Sequence, residues 1–199
     1  TLTREKEIKT KNSAPILIGC SLPQMLSFLK VGDRILIDDG LVEGQVEDIL
    51  DGNISVKVIK VAKPDGVRLK VDKGINFPDS NISFDLMTDR DLYDLDFICK
   101  HADIIGCSFI KDSNDILLIQ KEIDKRLGED NTMPIMAKIE ASSGVRNLPE
   151  IIVAGAGKNP FAVMIARGDL AVETGYLNLA TLQQEIMWIC EAANIPVID

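Results

Sequence analysis

The chain has 199 residues, 46% of them hydrophobic, and a formal net charge of −9. This length and apolar content predict a globular protein with one ordinary core, or a core with a smaller appended unit. The acidic balance argues against nucleic-acid binding, because phosphate-backbone contacts need a concentrated basic face that the sequence lacks. No apolar run approaches the roughly 18 to 20 residues that span a bilayer, and no charged-then-apolar leader opens the chain. We therefore expect no membrane partner and a cytoplasmic location.

Residues 1–71 are predicted to form a small all-β unit. Short alternating runs are separated by Asp38-Asp39-Gly40, Asp51-Gly52-Asn53 and Pro64-Asp65-Gly66, which are typical hairpin and turn signals. Residues 72–87 contain glycine, proline and small polar residues, so we interpret them as a connecting segment. The predicted strands cover residues 35–37, 44–49, 54–61 and 67–71, with a short helix at 22–26.

From Thr88 onward, helices and strands are predicted to alternate. Thr88 and Asp91 have capping-box spacing, and Ser113 is predicted to cap the second helix. Asn147 and Glu150 have the same spacing at the start of the third helix. Such alternation implies parallel strands joined by helical crossovers, in either a barrel or a doubly wound sheet. The predicted strands cover residues 102–109, 133–140, 161–166 and 195–198.

Charged residues stand at the ends of three consecutive predicted strands. Lys138 and Glu140 are two positions apart, so a strand's period of two places them on one face. Asp169 follows the apolar run 161–166, and Lys111 follows the strand before these two. The carboxyl ends of parallel strands meet at one edge, where chemistry collects in both architectures. Mg²⁺ usually takes one or two carboxylates, which Glu140 and Asp169 could supply.

Each of these residues also has a purely structural interpretation. A Lys-x-Glu pair at a strand end is commonly a weak, solvated ion pair. Asp169 after Gly168 is also typical of a helix N-cap or a turn, and Asp38-Asp39-Gly40 is typical of a hairpin. Ser108 and Phe109 would fit equally well as the lining of a barrel. The residues alone leave both interpretations open.

A set of short segments runs through the chain in a fixed order. They are Ile37-Asp38-Asp39-Gly40, Asp72-Lys73-Gly74-Ile75-Asn76, Ser108-Phe109-Ile110, Lys138-Ile139-Glu140, Gly144-Val145-Arg146-Asn147, Met164-Ile165-Ala166-Arg167-Gly168-Asp169-Leu170 and Pro196-Val197-Ile198. In order and spacing these segments resemble the pyruvate kinase family over almost the whole chain. Leu170-Ala171-Val172-Glu173 and Trp188-Ile189-Cys190-Glu191-Ala192-Ala193 resemble its divergent bacterial and plastid-type branch.

The resemblance implies an α/β fold in which a partial TIM-type (β/α) barrel is preceded by a small all-β inserted domain. Residues 1–71 would be the inserted lid domain, 72–87 the connecting segment, and 88–199 the barrel from its third helix to its seventh strand. It also implies a central fragment, because the first three barrel strands and the family's K⁺ ligands have no counterpart in this chain. Ala141 stands where most members have asparagine.

The resemblance further implies a glycolytic kinase that transfers a phosphoryl group from phosphoenolpyruvate to ADP, giving pyruvate and ATP. Its divalent metal would be Mg²⁺ or Mn²⁺, and its full-length form a homo-oligomer. Lys138 would be catalytic, and Glu140 and Asp169 would hold the metal. The remaining implied site residues are Ala166, Arg167, Gly168, Asp169, Ser108 and Phe109 for substrate, and Lys73 and Asp39 for the nucleotide and lid.

Two other functions remain open for this incomplete catalytic module. One is a magnesium-dependent enolate lyase or aldolase of the same barrel superfamily, which also uses a glutamate and an aspartate on successive strands. The inserted β-domain and Lys138 argue against that function. The other is a non-catalytic remnant that binds a metal or a ligand without turnover.

Overall fold

The computed structural model describes residues 1–3, 16–80 and 86–199. The chain divides into two compact units, Thr1–Ser83 and Phe84–Asp199. Each unit has its own cluster of buried hydrophobic side chains. Among the helices of the described residues, none combines the length and the apolar character that crossing a membrane requires.

In the described part of the first unit, six short strands form one sheet in the order β2-β1-β5-β4-β3-β6. A 3-10 helix, Pro23–Phe28, lies between the second and third strands and buries Leu26. The strands are β1 (Leu2–Thr3), β2 (Ile18–Gly19), β3 (Arg34–Ile37), β4 (Val42–Leu50), β5 (Asn53–Val61) and β6 (Ile75–Asn76).

Two tight turns connect the central strands of this sheet, as the sequence predicts. Asp38, Asp39 and Gly40 all have positive φ between β3 and β4, and Asp51 and Gly52 do so between β4 and β5. Aspartate and glycine are the residues that accept this left-handed backbone most readily. The local sequence therefore fixes both hairpins.

The strand predicted at residues 67–71 is wrong, because the structure has no strand there. Val67 and Leu69 do pack against the core, as their alternation requires. A strand needs a hydrogen-bonding partner as well as a buried face, and β6 is the strand that pairs with the outer side of β3. The alternation predicted burial correctly but not pairing.

The second unit, from residue 86 onward, is an alternating α/β structure around four parallel strands in the order β10-β9-β8-β7. The strands are β7 (Ile105–Cys107), β8 (Ile135–Ile139), β9 (Phe161–Ile165) and β10 (Val197–Ile198). The helices are α1 (Asp89–His101), α2 (Ser113–Leu127), α3 (Ser142–Arg146), α4 (Leu148–Ala156), α5 (Arg167–Thr174) and α6 (Tyr176–Ala192).

One face of this sheet carries the core of the unit. On β8, Ile135, Ala137 and Ile139 are fully buried and belong to the same cluster as apolar residues of α2, α4 and α6. Met136 and Lys138 alternate with them and are only half-buried. The helices therefore cover one face of the strands, and Lys138, the polar residue of β8, lies on the other.

Two of the predicted helix caps need correction. The capping box of Thr88 and Asp91 is present at the start of α1. At α2, however, Asp112 caps the helix in place of Ser113, because its Oδ1 accepts hydrogen bonds from the N–H groups of Asn114 and Asp115. The carboxylate one position earlier reaches the free N–H groups that the serine was expected to bind.

The predicted cap at Asn147 is also wrong. Its side chain makes no capping hydrogen bond to α4. Instead, Nδ2 of Asn147 donates a hydrogen bond to the carbonyl of Lys111, at 2.9 Å. A tertiary contact has replaced the local one that the spacing to Glu150 suggested.

Candidate active site

The ends of β7, β8 and β9 lie side by side at the C-terminal edge of the parallel sheet. The register pairs Cys107 with Ala137 and Ile139 with Ile165. The N–H of Ala166 continues the ladder by donating to the carbonyl of Ile139, at 3.2 Å. Residues that directly follow these three strands therefore share one edge, where barrels place their chemistry.

Lys138 and Glu140 are in contact on this edge, as their spacing predicts. Nζ of Lys138 lies 2.8 Å from Oε1 of Glu140. The same ammonium donates a hydrogen bond to Oγ of Ser108 at the end of β7, at 2.9 Å. The lysine thus joins two neighbouring strands, and 27% of its side chain is exposed.

Glu140 is a buried charged residue with only 3% of its surface exposed. Its Oε1 has the ion pair with Lys138, but the ammonium lies outside hydrogen-bond geometry, so that oxygen accepts no hydrogen bond from the described residues. A buried carboxylate oxygen without a donor is costly unless a cation neutralises it. This unsatisfied oxygen fits the hard-oxygen ligand set of a divalent cation such as Mg²⁺.

Asp169 lies in the first turn of α5, which begins at Arg167, directly after the residue that follows β9. The sequence allowed a helix N-cap or a turn at Asp169, but the N-cap is Ala166 and Asp169 is the third residue of the helix. Its first backbone hydrogen bond runs from the N–H of Leu170 to the carbonyl of Ala166, at 2.9 Å, so the preceding N–H groups have no partner within the helix. A Cβ built on Gly168 would meet nothing within 4 Å. The backbone here is open to a ligand.

Among the described residues at this edge of the sheet, only a few side chains could coordinate a metal ion. In the part of the chain that the structure describes, no three His, Cys, Asp or Glu side chains come together as a metal cluster. Glu140, directly after β8, and Asp169, in the first turn of the helix that follows β9, are the residues that could hold a cation. A site with two carboxylates leaves coordination positions for water and an anionic substrate, as Mg²⁺ sites commonly do.

The loop after β7 contains two of the predicted site residues, and one of them has an unusual backbone conformation. Phe109 has a φ of +57°, a left-handed value rare for an aromatic residue, and 45% of it is exposed. Ser108 beside it is the hydrogen-bond partner of Lys138. Strained backbone of this kind often marks a functional loop.

Two residues that the sequence did not single out as site residues hold this loop. Asn147 binds the carbonyl of Lys111, as described above. Gly144 approaches the loop so closely that an added Cβ would lie 2.6 Å from the carbonyl oxygen of Ile110. Both belong to Gly144-Val145-Arg146-Asn147, and their presence in that family-like segment was the only signal available from the sequence.

Lys73 and Asp39, the two residues predicted for the nucleotide and lid, both lie in the first unit. Nζ of Lys73 forms a 2.7 Å ion pair with Asp38. The hydrogen bond and the charge of Asp38 raise the pKa of Lys73, with a smaller contribution from Asp39. Asp39 is exposed in the turn after β3. The structure therefore makes Asp38 the direct partner of this lysine.

The second unit and its site define an α/β-barrel protein that carries a lysine and acidic residues at the C-terminal edge of parallel strands. The family described as "Pyruvate kinase, barrel domain" matches residues 1–199. The chain belongs to the pyruvate kinase family. This confirms the family resemblance and the fold class, a partial TIM-type barrel preceded by a small β-unit; the branch within the family stays a prediction.

Individual relatives agree with this assignment. The pyruvate kinase of Clostridium perfringens is 35% identical over 179 residues, covering 89% of this chain and 35% of the relative. That of Debaryomyces hansenii is 35% identical over 172 residues, covering 85% of this chain and 32% of the relative. A crystal structure of a pyruvate kinase from Cryptosporidium parvum has a TM-score of 0.77 at 28% identity, covering 91% of this chain and 36% of that one. The chain spans about a third of the length of these relatives.

Proposed function

We propose that this chain is the central part of a kinase that transfers the phosphoryl group of phosphoenolpyruvate to ADP, giving pyruvate and ATP. The observation that carries the proposal is the pairing of Lys138 with a buried Glu140 whose Oε1 lacks a hydrogen bond, at the C-terminal edge of a pyruvate kinase barrel. Phosphoryl transfer depends on positioning and charge neutralisation more than on covalent help, and this edge has the groups for both.

Each residue at the edge has a proposed role. Glu140 and Asp169 would hold Mg²⁺ or Mn²⁺, and the bound cation would neutralise charge on the phosphoryl group and on the substrate oxygens. Lys138 would place its ammonium against the transferring phosphoryl group and the developing enolate. Ser108 fixes the direction of that ammonium through the 2.9 Å hydrogen bond.

The substrate would lie along the start of α5. The N–H groups of Arg167 and Gly168, which have no partner within the helix, suit an anionic carboxylate beside Ala166, and the open space at Gly168 permits a close approach. Ser108 and Phe109 would form a wall of the pocket. Lys73, with its paired Asp38 and the adjacent Asp39, is proposed to contact the nucleotide phosphates.

Further features of the proposal follow from the family. Residues 1–71 would be the lid domain, 72–87 the connection and 88–199 the barrel portion. Ligands for K⁺ would come from parts of the family fold that this chain does not include. We also propose a cytoplasmic homo-oligomer.

A coupled assay tests the catalytic role of Lys138. Pyruvate formation from phosphoenolpyruvate and ADP would be followed in the natural polypeptide that carries residues 1–199. We expect Lys138→Met to lower kcat by a factor on the order of 10² to 10³, because a preorganised charge at the transition state is lost. Lys158→Met removes the same charge at the opposite edge of the sheet and should change kcat by less than about twofold. Unchanged turnover in Lys138→Met would show that the assigned role is wrong.

A non-catalytic, metal-binding remnant is the second candidate, and the observation that favours it is the unsatisfied Oε1 of Glu140, which suits a bound cation whether or not turnover follows. It predicts cation binding at Glu140 with no pyruvate formation in the same assay. The lyase or aldolase alternative predicts cleavage of a carbon–carbon bond that releases an enolate and does not depend on ADP. It therefore predicts no ADP-dependent formation of pyruvate from phosphoenolpyruvate, which separates it from the kinase.

A further inference from the structure

We propose that Lys138 is the resident counter-ion of Glu140, that it gives up this carboxylate when a divalent cation binds, and that Ser108 then retains it at the site. This inference rests on the metal site of the proposed function and adds a regulation to it. The lysine would be directed at the substrate only after the cation is in place.

The first step of the argument is the burial of Glu140. Only 3% of the residue is exposed, so water cannot solvate its charge. A buried carboxylate must be paired or neutralised. Among the described residues, Lys138 is the one cation that lies within ion-pair distance of it. In the metal-free protein, the lysine is therefore needed for the stability of the site.

The second step is competition for one oxygen. The ammonium of Lys138 lies 2.8 Å from Oε1, the same atom that lacks a hydrogen bond and is suited to a cation. A divalent cation on that oxygen would face the ammonium at close range in a poorly solvated place, where like charges repel strongly. One of the two must leave, and the lysine has a flexible stem and a side chain that is 27% exposed.

The third step is the second anchor of the lysine. Its ammonium has three donors, and one already binds Oγ of Ser108 at 2.9 Å. Losing Glu140 therefore does not release Lys138 from the edge of the sheet. Ser108 sits in the loop that Gly144 and Asn147 hold in place, so the displaced ammonium keeps a defined position. The arrangement favours cation binding before substrate binding.

Metal affinity tests this without any measurement of turnover. The dissociation constant for Mn²⁺ would be measured by electron paramagnetic resonance in the natural polypeptide that carries this chain, without substrates. Lys138→Met removes the competitor, and we expect Mn²⁺ to bind about tenfold more tightly. Lys138→Arg keeps the charge, but arginine can bind a carboxylate through two N–H groups. We therefore expect this variant to bind Mn²⁺ about threefold more weakly than the wild type. Ser108→Ala removes the one anchor left to the displaced ammonium, whereas Glu140 still holds the ammonium in the metal-free state, so this variant should also bind Mn²⁺ about threefold more weakly.

The conservative variants separate displacement from simple charge repulsion. Repulsion alone would make Lys138→Met tighter but would leave Lys138→Arg and Ser108→Ala at the wild-type value, and that result would overturn the inference. Combining Ser108→Ala with Lys138→Met should abolish the effect of the serine. If Ser108→Ala weakens Mn²⁺ binding equally in both backgrounds, the serine does not act through Lys138 and the inference is wrong. Lys158→Met is the charge-matched control and should bind Mn²⁺ as the wild type does.

The Mn²⁺ affinities test this inference separately from the kinase activity, which pyruvate formation tests. Should Lys138→Met fail to fold, the Lys138→Arg and Ser108→Ala measurements still decide between displacement and repulsion. The expected order of Mn²⁺ affinities with no pyruvate formation by the wild type would support the inference and overturn the kinase. Pyruvate formation with affinities that do not depend on Lys138 or Ser108 would support the kinase and overturn the inference.

Discussion

The two edges of the parallel sheet in the second unit use buried polar residues in opposite ways. At the N-terminal edge, Gln120 and Asn159 are only 5% and 4% exposed, and their side chains are hydrogen-bonded. Nε2 of Gln120 donates to Oδ1 of Asn159 at 3.1 Å and to the carbonyl of Ala154 at 3.0 Å. Nδ2 of Asn159 donates to the carbonyl of Met133 at 3.0 Å. At the C-terminal edge, Glu140 is as deeply buried but keeps an oxygen without a hydrogen bond.

This difference shows how stability and binding are divided within one sheet. A satisfied buried network ties loops and strands together and rigidifies the fold. A buried group left unsatisfied in a native structure calls for an explanation, and a missing ligand is a common one. We therefore assign the N-terminal edge to stability and the C-terminal edge to the site, in agreement with the general division of labour in barrels.

Asn159→Ala at the N-terminal edge should reduce stability more than the other substitutions considered below. The change removes the acceptor of Gln120 and the donor to Met133, so two buried groups lose a partner. We expect the free energy of unfolding to fall by about 2–3 kcal/mol, measured by urea denaturation. The Mn²⁺ dissociation constant should not change.

Asn114→Ala provides the matched control, since this asparagine is exposed at the start of α2. It should alter the free energy of unfolding by less than about 0.5 kcal/mol. If Asn159→Ala were equally mild, or if it weakened Mn²⁺ binding while leaving stability intact, the assignment of the two edges would have to be reversed.

A somewhat smaller effect is expected from Gly144→Ala at the C-terminal edge. The new Cβ would lie 2.6 Å from the carbonyl oxygen of Ile110, a backbone atom that cannot turn away. Overpacking of this kind costs about 1–2 kcal/mol and would shift the loop that carries Ser108. We therefore expect both a lower urea midpoint and weaker Mn²⁺ binding, which distinguishes this edge from the other.

Gly106→Ala is a suitable companion variant, because a Cβ there meets nothing within 4 Å. Alanine also restricts the unfolded chain more than glycine, so this variant should be as stable as the wild type or slightly more so. Equal losses at Gly144 and Gly106 would mean that the close approach to Ile110 has no energetic role.

The sequence predicted the parts of the site that depend on local periodicity. Period two along β8 placed Lys138 and Glu140 on one face, and they form an ion pair there. The alternation of helices and strands predicted the parallel sheet, and hence which strand ends are neighbours. These inferences hold because backbone geometry alone determines them.

What the sequence could not predict depends on choices between nearby partners in three dimensions. Asn147 has the spacing of a cap, yet its side chain binds the Lys111 carbonyl, which only tertiary packing brings within reach. Lys73 could have paired with either Asp38 or Asp39, which are neighbours in the turn after β3, and it pairs with Asp38. The contact between Ser108 and Lys138 depends on the register of two strands, which residue spacing does not specify.

The free energy of unfolding should also depend weakly on pH through a residue near the N-terminal edge of the sheet, the edge that we assign to stability. Glu122, in the half of α2 that lies towards the N-terminal edge, forms ion pairs with Lys125 and Arg126. Hydrogen bonds from Lys125 and then Arg126 lower the pKa of Glu122 below its usual value. A carboxyl group with a lowered folded-state pKa contributes stability above its unfolded pKa of about 4.3. That contribution is lost as the pH falls through the folded-state value.

Glu122→Gln should therefore lower the urea midpoint at pH 7 and make progressively less difference as the pH is taken below about 4. Glu185→Gln changes an exposed position of α6. The urea midpoint of this variant should change between pH 7 and pH 3 by as much as that of the wild type. A Glu122→Gln deficit that persists undiminished at pH 3 would mean that the residue stabilises α2 by packing of its side chain, because protonation would then have removed nothing. The ion pairs of α2 would in that case be incidental, and the hydrogen bonds of Gln120 and Asn159 would be left as the polar contribution to the stability of that edge.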